Sequence, residues 1–327
     1  MDFAGEFAAL FAALAFSVTS TTFTLSGRDF SPIIVMRASL PIGAVCLFTL
    51  HWLLTGWILP TYVEPIRWFW LGISGIVGFW LGSISIINAF NRIGPRLTLL
   101  IIAIAPILST FLAYIFLDES LESGATGGIL MIIGGIIFVV TGKRGDTGTL
   151  PNDGSFGMGV VFALIGALGQ SSSFILSSLG LADVISTQAH HTLVAFPHIA
   201  SDLRDYFAAP GDFHPLSAAV MRISIATTAI WALALLRGKL PPTLHTVRTH
   251  TRSLRFLLVG SIAGPVIGAS LVLASLQLIP VGVSSTLTNL TPIFLIPISA
   301  VVFKEEITLR AMIGTVIAVI GIAILFL

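Results

Sequence analysis

Ten apolar runs, each long enough to cross a bilayer, constrain this 327-residue chain more than anything else in it. They fall near residues 4–26, 30–55, 67–90, 94–117, 124–142, 156–180, 215–236, 253–276, 280–303 and 308–327. A hydrocarbon core of about 30 Å takes a helix of about 20 apolar residues. Every backbone donor and acceptor at that depth must be satisfied within the protein, which leaves helices or a closed barrel. Barrel strands alternate apolar and polar residues; these runs do not, so helices are expected. Charge agrees. Only 9% of the residues are charged, against about 25% in a soluble domain, too few to cover a water-facing surface. The formal net charge of +1 argues against a nucleic-acid partner. Cys46 is the lone cysteine, so no internal disulfide forms. Met1–Glu6 carries no basic residue ahead of the first run, so that run is expected to be a retained span rather than a cleaved leader.

The links are mostly short and hold Pro, Gly or charge, such as Asn91-Arg92-Ile93-Gly94-Pro95 and Gly142-Lys143-Arg144-Gly145-Asp146. One is long. Residues 181–214 hold Asp183, His190, His191, His198, Asp202, Arg204, Asp205 and His214, a polar, partly amphipathic extramembrane insert.

The two halves of the chain repeat one another. Met36-Arg37-Ala38-Ser39 matches Met221-Arg222-Ile223-Ser224; Gly78 and Gly82 match Gly264 and Gly268; Ala105-Pro106-Ile107 matches Thr291-Pro292-Ile293. The spacing holds as well: Gly78 to Pro106 and Gly264 to Pro292 are both 28, and Pro106 to Glu119 and Pro292 to Glu305 are both 13. Arg37 to Gly78 is 41 and Arg222 to Gly264 is 42. The register breaks only between the first two runs of the second half, where the insert sits. Residues 1–150 and 151–327 are therefore read as two five-helix repeats, the second carrying the insert. Five is odd, so the second copy enters the membrane from the opposite side. Inverted repeats of this kind build secondary transporters, with a site between the halves exposed alternately to each side. The expected fold is an all-α polytopic membrane protein of ten transmembrane helices in two inverted five-helix repeats.

These residues resemble the EamA-like, ten-helix branch of the drug/metabolite transporter superfamily. The resemblance rests on Met36-Arg37-Ala38 and Met221-Arg222-Ile223, on Ile93-Gly94-Pro95, Ala105-Pro106 and Leu117-Asp118-Glu119, and on Ile279-Pro280, Thr291-Pro292 and Phe303-Lys304-Glu305. It covers nearly all of the chain except 181–214. It implies a basket of ten helices, a central cavity lined by the first, third and fourth helix of each half, and a fifth helix at the periphery or in a dimer contact. It implies movement of small metabolites, amino acids or nucleotide-sugar-like solutes, usually outward across a plasma membrane. The expected function is a secondary transporter, an exporter of a small organic metabolite or drug-like solute, working as a monomer or homodimer without cofactor or metal.

Basic residues in short loops favour the cytoplasmic side. With Arg37 and Arg222 set aside as lying inside runs, 12 of the remaining 14 fall after runs 1, 3, 5, 7 and 9, and two, Arg67 and Arg204, fall on the other side. The bias places both termini and the insert outside the cytoplasm. The resembled family mostly has cytoplasmic termini; the charge bias, a property of this chain, is preferred.

Several residues stand out within the runs. An arginine near a helix centre costs about 2.5–3.5 kcal/mol on insertion scales. Arg37 and Arg222 serve either as structural anchors, snorkelling or bonded to carbonyls, or as anion-binding or gating groups; their matched places favour architecture. Ser17 and Thr21 on the first run, Gln170 and Ser173 on the sixth and Asn289 on the ninth are candidate substrate contacts. The same groups also bind helices together, at about 0.6 kcal/mol each. Trp80 is a cavity wall or faces lipid. Pro106 and Pro292 are expected to kink helices beside the cavity. Gly78, Gly82, Gly264 and Gly268 permit close helix approach. Glu119 and Glu305 are helix-end carboxylates, with proton coupling as the lesser role. Two other chemistries have footholds. Gly72-Ile73-Ser74-Gly75 resembles the nucleophile motif of an intramembrane serine hydrolase, which needs a histidine base; His51 is the one candidate within a run. His191, His198 and Asp202 lack tight metal-ligand spacing. No phosphate-cradling Gly-rich loop with Lys is present. A lipid-translocating or structural membrane component is the remaining alternative to a carrier.

Overall fold

The computed structural model describes residues 3–27, 29–119, 123–142, 155–181, 214–238, 246, 249–302 and 309–325. Most of the insert (182–213), with His190, His191 and His198, and Glu305 lie outside them. The described chain is helical, with no strand. In order it forms α1 (Ala4–Ser26), α2 (Pro32–Thr55), α3 (Pro65–Gly75), a π-helical stretch π1 (Ile76–Gly82), α4 (Ser83–Ile102), α5 (Ala105–Leu117), α6 (Ser123–Gly142) and α7 (Ser155–Leu181). The second half continues with α8 (Pro215–Leu236), α9 (Thr251–Ser261), π2 (Ile262–Gly268), α10 (Ala269–Leu278), α11 (Val281–Thr288), α12 (Thr291–Val302) and α13 (Leu309–Leu325). Seven stretches have the length and hydropathy to cross a membrane: Ala4–Ser26, Pro32–Thr55, Pro65–Ile86, Phe156–Leu181, Pro215–Leu236, Thr251–Leu278 and Val281–Val302. Three shorter apolar helices, Ala105–Leu117, Thr126–Phe138 and Met312–Ile324, accompany them.

Proline sets many of the starts. Pro32, Pro65, Pro106 and Pro215 stand in the first turn of their helices, where the missing N–H would have had no partner. Two expectations change on this account. Pro106 and Pro292 interrupt the chain from the head of a new helix rather than from within one. Regular α-helical hydrogen bonding lapses at Ala103–Ile104, although Ile104 keeps right-handed helical angles, and Pro106 opens the next piece; Pro292 likewise stands in the first turn of α12 after a break at Asn289–Leu290. A proline costs a hydrogen bond inside a helix and nothing at its start, so the break settles just ahead of it. The non-helical link read at 91–95 is also not seen, because α4 stays helical across it. Yet Ser83 and Ile86 at one end of α4 border the same cavity as Ile102 at the other. A straight helix would set Ser83 and Ile102 about 28 Å apart, so the chain turns between them.

Packing between the halves is reciprocal. Helices α3, π1 and α4 lie against α7, while α9, π2 and α10 lie against α1. The two π stretches are each seven residues long, and Ile76 to Ile262 and Gly82 to Gly268 are the same distance in sequence, 186 positions. Glycines make both seams. A Cβ on Gly169 of α7 would come within 3.0 Å of Gly82 Cα, and one on Gly264 or Gly268 would come within 2.7 Å of Thr19 or Phe16 on α1. The hydrogen bonds follow suit. Ser171 Oγ on α7 donates to Ala105 O at 2.8 Å, and Thr291 Oγ1, at the position matching Ala105, donates to Ala13 O on α1 at 3.4 Å.

The fifth helices pair with each other inside the chain. Helix α6 packs along α13, and a Cβ on Gly135 would sit 2.6 Å from Gly314 O.

Candidate functional site

A cavity of about 310 Å³ lies where these seams meet. Its wall draws Phe16 from α1, Gly78, Phe79 and Gly82 from π1, Ser83, Ile86 and Ile102 from α4, and Ala103 from the break after it. Ile136 of α6, Gln170, Ser173 and Phe174 of α7, Arg222 of α8 and Ala269 and Val272 of α10 continue it, and Thr288, Asn289, Thr291 and Pro292 at the α11–α12 break close it. Both halves thus contribute their first, third and fourth helical segments, joined by Arg222 from a second helix and Ile136 from a fifth.

Arg222 is the one charged side chain on this wall among the described residues. It is 8% exposed. Its Nη2 donates to Ser173 Oγ at 2.9 Å, and Ser173 Oγ donates in turn to Ser74 O at 2.8 Å. The guanidinium lies over the Phe79 ring, 5.6 Å from its centroid, a favourable cation–π distance. Glycine makes room for this arrangement. A Cβ on Gly75 would stand 2.5 Å from Arg222 O, and one on Gly78 would stand 2.5 Å from Ser173 Oγ. Three buried polar atoms on the wall have no hydrogen-bond partner: Arg222 Nε, Gln170 Oε1 and Thr288 Oγ1. Unpaired buried polar groups are costly, and a cluster of them around one cavity marks a place for water or a polar ligand.

Of the candidate substrate contacts, Gln170, Ser173, Asn289 and Pro292 border the cavity. Asn289 Nδ2 donates to Ser285 O at 2.8 Å. Ser17, Thr21, Trp80 and Pro106 do not border it. Ser17 Oγ donates to Leu14 O at 2.7 Å and Thr21 Oγ1 to Ser17 O at 2.9 Å, each within α1. Trp80 is 36% exposed on π1, and Pro106 is buried at the head of α5. Gly78 and Gly82 lie on the wall itself; Gly264 and Gly268 sit behind it, against α1. Arg37 is half-buried on α2, away from the cavity, and its carbonyl accepts from Trp231 Nε1 at 2.9 Å. Glu119 Oε2 accepts from Val281 N at 2.8 Å, at the start of α11.

Sequence reasoning passed over Phe16, Phe79, Phe174 and Thr288, and favoured an architectural role for Arg222 over an anion-binding or gating one. A charged residue inside an apolar run was itself a signal; what it lacked was the packing that turns Arg222, and not Arg37, toward the cavity. The serine-hydrolase foothold is not assembled. His51 is fully buried, with Nδ1 2.6 Å from Trp57 O and Nε2 3.0 Å from Ser217 Oγ, while Ser74 Oγ donates to Leu71 O at 2.7 Å. Among the described residues no group of three His, Cys, Asp or Glu is placed to hold a metal ion.

The family model described as the EamA-like transporter family matches residues 3–141 and 208–327, leaving out α7 and most of the insert. A solved crystal structure, titled only as that of a protein, superposes with a TM-score of 0.71 at 14% identity, covering 99% of this chain and 96% of its own. At that identity the likeness shows a shared fold. No curated protein matches.

Proposed function

Because the chain belongs to the EamA-like transporter family, we propose that it is a multi-pass membrane carrier that moves a small organic solute by alternating access. The observation that carries the mechanism is the cavity at the seam of the two halves, walled by both and holding unpaired polar atoms. Seven candidate spans and three shorter apolar helices support a reading of ten passes, five per half, with the halves in opposite orientations. The reciprocal seams support this: a two-fold relation requires that whatever one half does to the other be returned. Rocking the halves about the glycine seams then opens the cavity to one side at a time. No Asp or Glu borders the cavity among the described residues, so its wall lends proton coupling no support over facilitated exchange.

Purified protein in liposomes loaded with a metabolite extract is the test. At least one solute leaves faster than from protein-free liposomes; equal loss of every solute would refute the carrier. The plasma membrane is the proposed site, with termini outside the cytoplasm as the basic residues indicate. A reporter active only in the cytoplasm, fused to the C-terminus, is expected to stay silent, and activity there would reverse the orientation.

A further inference from the structure

Resting on that carrier reading, we infer that the cavity takes a small organic monocarboxylate, held through Arg222, and discriminates against the corresponding amino acid. Arg222 is more than nine-tenths buried in a span, with no carboxylate within 4.0 Å among the described residues. Its neighbours Ser173 and Phe79 satisfy one nitrogen and one face, and Nε is left without an acceptor. A buried guanidinium without a counter-charge is costly, and a carboxylate is the planar acceptor its fork matches, two oxygens against two N–H donors. The anion therefore brings the missing partner with it.

The rest of the wall narrows the class. A single cation suits a single negative charge better than a phosphate dianion. About 310 Å³ is the share of roughly ten water molecules, more than an inorganic anion fills. Phe16, Phe79 and Phe174 offer apolar faces for a compact body. Thr288 and Gln170 border the cavity and each holds a buried oxygen without a partner, which a side-chain rotation would present to a hydroxyl on the solute. An ammonium finds no carboxylate on the wall and meets the field of Arg222, so an α-amino acid should bind worse than the hydroxy acid of the same shape.

Purified protein in lipid nanodiscs is dialysed to equilibrium against two matched sets of probes, and retention is measured by mass spectrometry against empty nanodiscs. One set is phenyllactate, phenyllactamide, phenylalanine and phenylalaninol; the other is hydroxyisocaproate, its amide, leucine and leucinol. The hydroxy acid of at least one set is retained about tenfold or more over its amide, amino acid and amino alcohol, the effect of one charge-assisted contact. Arg222→Gln abolishes that preference and Arg222→Lys keeps part of it. Equal retention within both sets, preference for amine or amino acid, or no retention at all overturns the inference. The wild-type series decides this even if the variants fail to fold. The same protein in liposomes loaded with a metabolite extract separates the two claims. Movement of neutral or cationic solutes alone keeps the carrier and discards the anion, whereas no movement of any solute removes both.

Discussion

The first backbone donor of α11 is held by a carboxylate from the other half of the chain: Val281 N donates to Glu119 Oε2 at 2.8 Å. A negative charge at a helix N-terminus is favourable, and the bond takes up one of the donors the helix leaves free. Glu119 stands two residues past α5, after Asp118 has closed that helix in a left-handed turn (φ 54°). Burial raises its carboxyl above the usual range, and the bond from Val281 partly offsets this. A raised value in the folded protein means that folding disfavours the ionised form. The stability contributed is then full at acid pH and is lost as pH rises through the raised value. The unfolding midpoint of the wild type should therefore decline, as pH rises above the ordinary carboxylate range, relative to Glu119→Gln, which keeps an acceptor oxygen and loses the charge. Parallel profiles would show that Glu119 does not titrate in this way. Glu119→Ala leaves Val281 N–H without its cap and should cost about 1 kcal/mol more than Glu119→Gln.

At the scale of elements, the paired π stretches are the feature most worth breaking. Each widens the helix within one turn and brings it against the first helix of the opposite half. The glycines there differ sharply in what a methyl group would meet. Gly75, one residue ahead of π1, has Arg222 O 2.5 Å from where its Cβ would lie, whereas Gly134 on α6 has nothing within 4 Å. Gly75→Ala must push a backbone carbonyl aside and should lose about 1–3 kcal/mol, the usual cost of overpacking; Gly134→Ala should be close to neutral. Thermal unfolding of the two variants in detergent checks this, and equal midpoints would mean that α3 and α8 do not approach so closely. The shift should reach the site as well, since the same carbonyl belongs to the residue whose side chain borders the cavity.

For the whole molecule, the pairing of α6 with α13 is an intramolecular contact where the family resemblance allowed a periphery or a dimer seam. A Cβ on Gly135 would lie 3.0 Å from Ala318 Cβ and 2.6 Å from Gly314 O, closer than the roughly 3.5–4.5 Å a disulfide spans, so the two helices must part slightly for a bridge to close. With Cys46→Ser removing the lone thiol, Gly135→Cys with Ala318→Cys should cross-link within one chain, seen as a faster-migrating monomer on non-reducing gels. A cross-linked dimer instead would place the two helices in different molecules. The same pairing ties the last helix of each half together, so the carrier motion is expected to leave this disulfide intact and transport to survive it.

Membrane class and most apolar helices were legible in the residues, because they depend on run length and hydropathy along the chain; the link read at 91–95 was not, since α4 runs through it. The matched glycines and prolines mark true structural landmarks for the same reason: a missing Cβ or a missing N–H acts wherever it occurs. The cavity wall was only partly legible. Gln170, Ser173, Asn289 and Pro292 border it, but Ser17 and Thr21, equally polar and on an equally placed helix, spend their hydroxyls on their own α1 carbonyls. Which face of a helix turns inward in lipid is set by its neighbours, since hydropathy alone does not distinguish a lipid-facing side from a protein-facing one. That is why Arg37 and Arg222, indistinguishable as sequence, part company in three dimensions: Gly75 and Gly78 let α8 come close enough to lay one guanidinium against Phe79 and Ser173, whereas α2 packs through Gly43 on Ile223 and Pro265 and leaves Arg37 off the cavity wall.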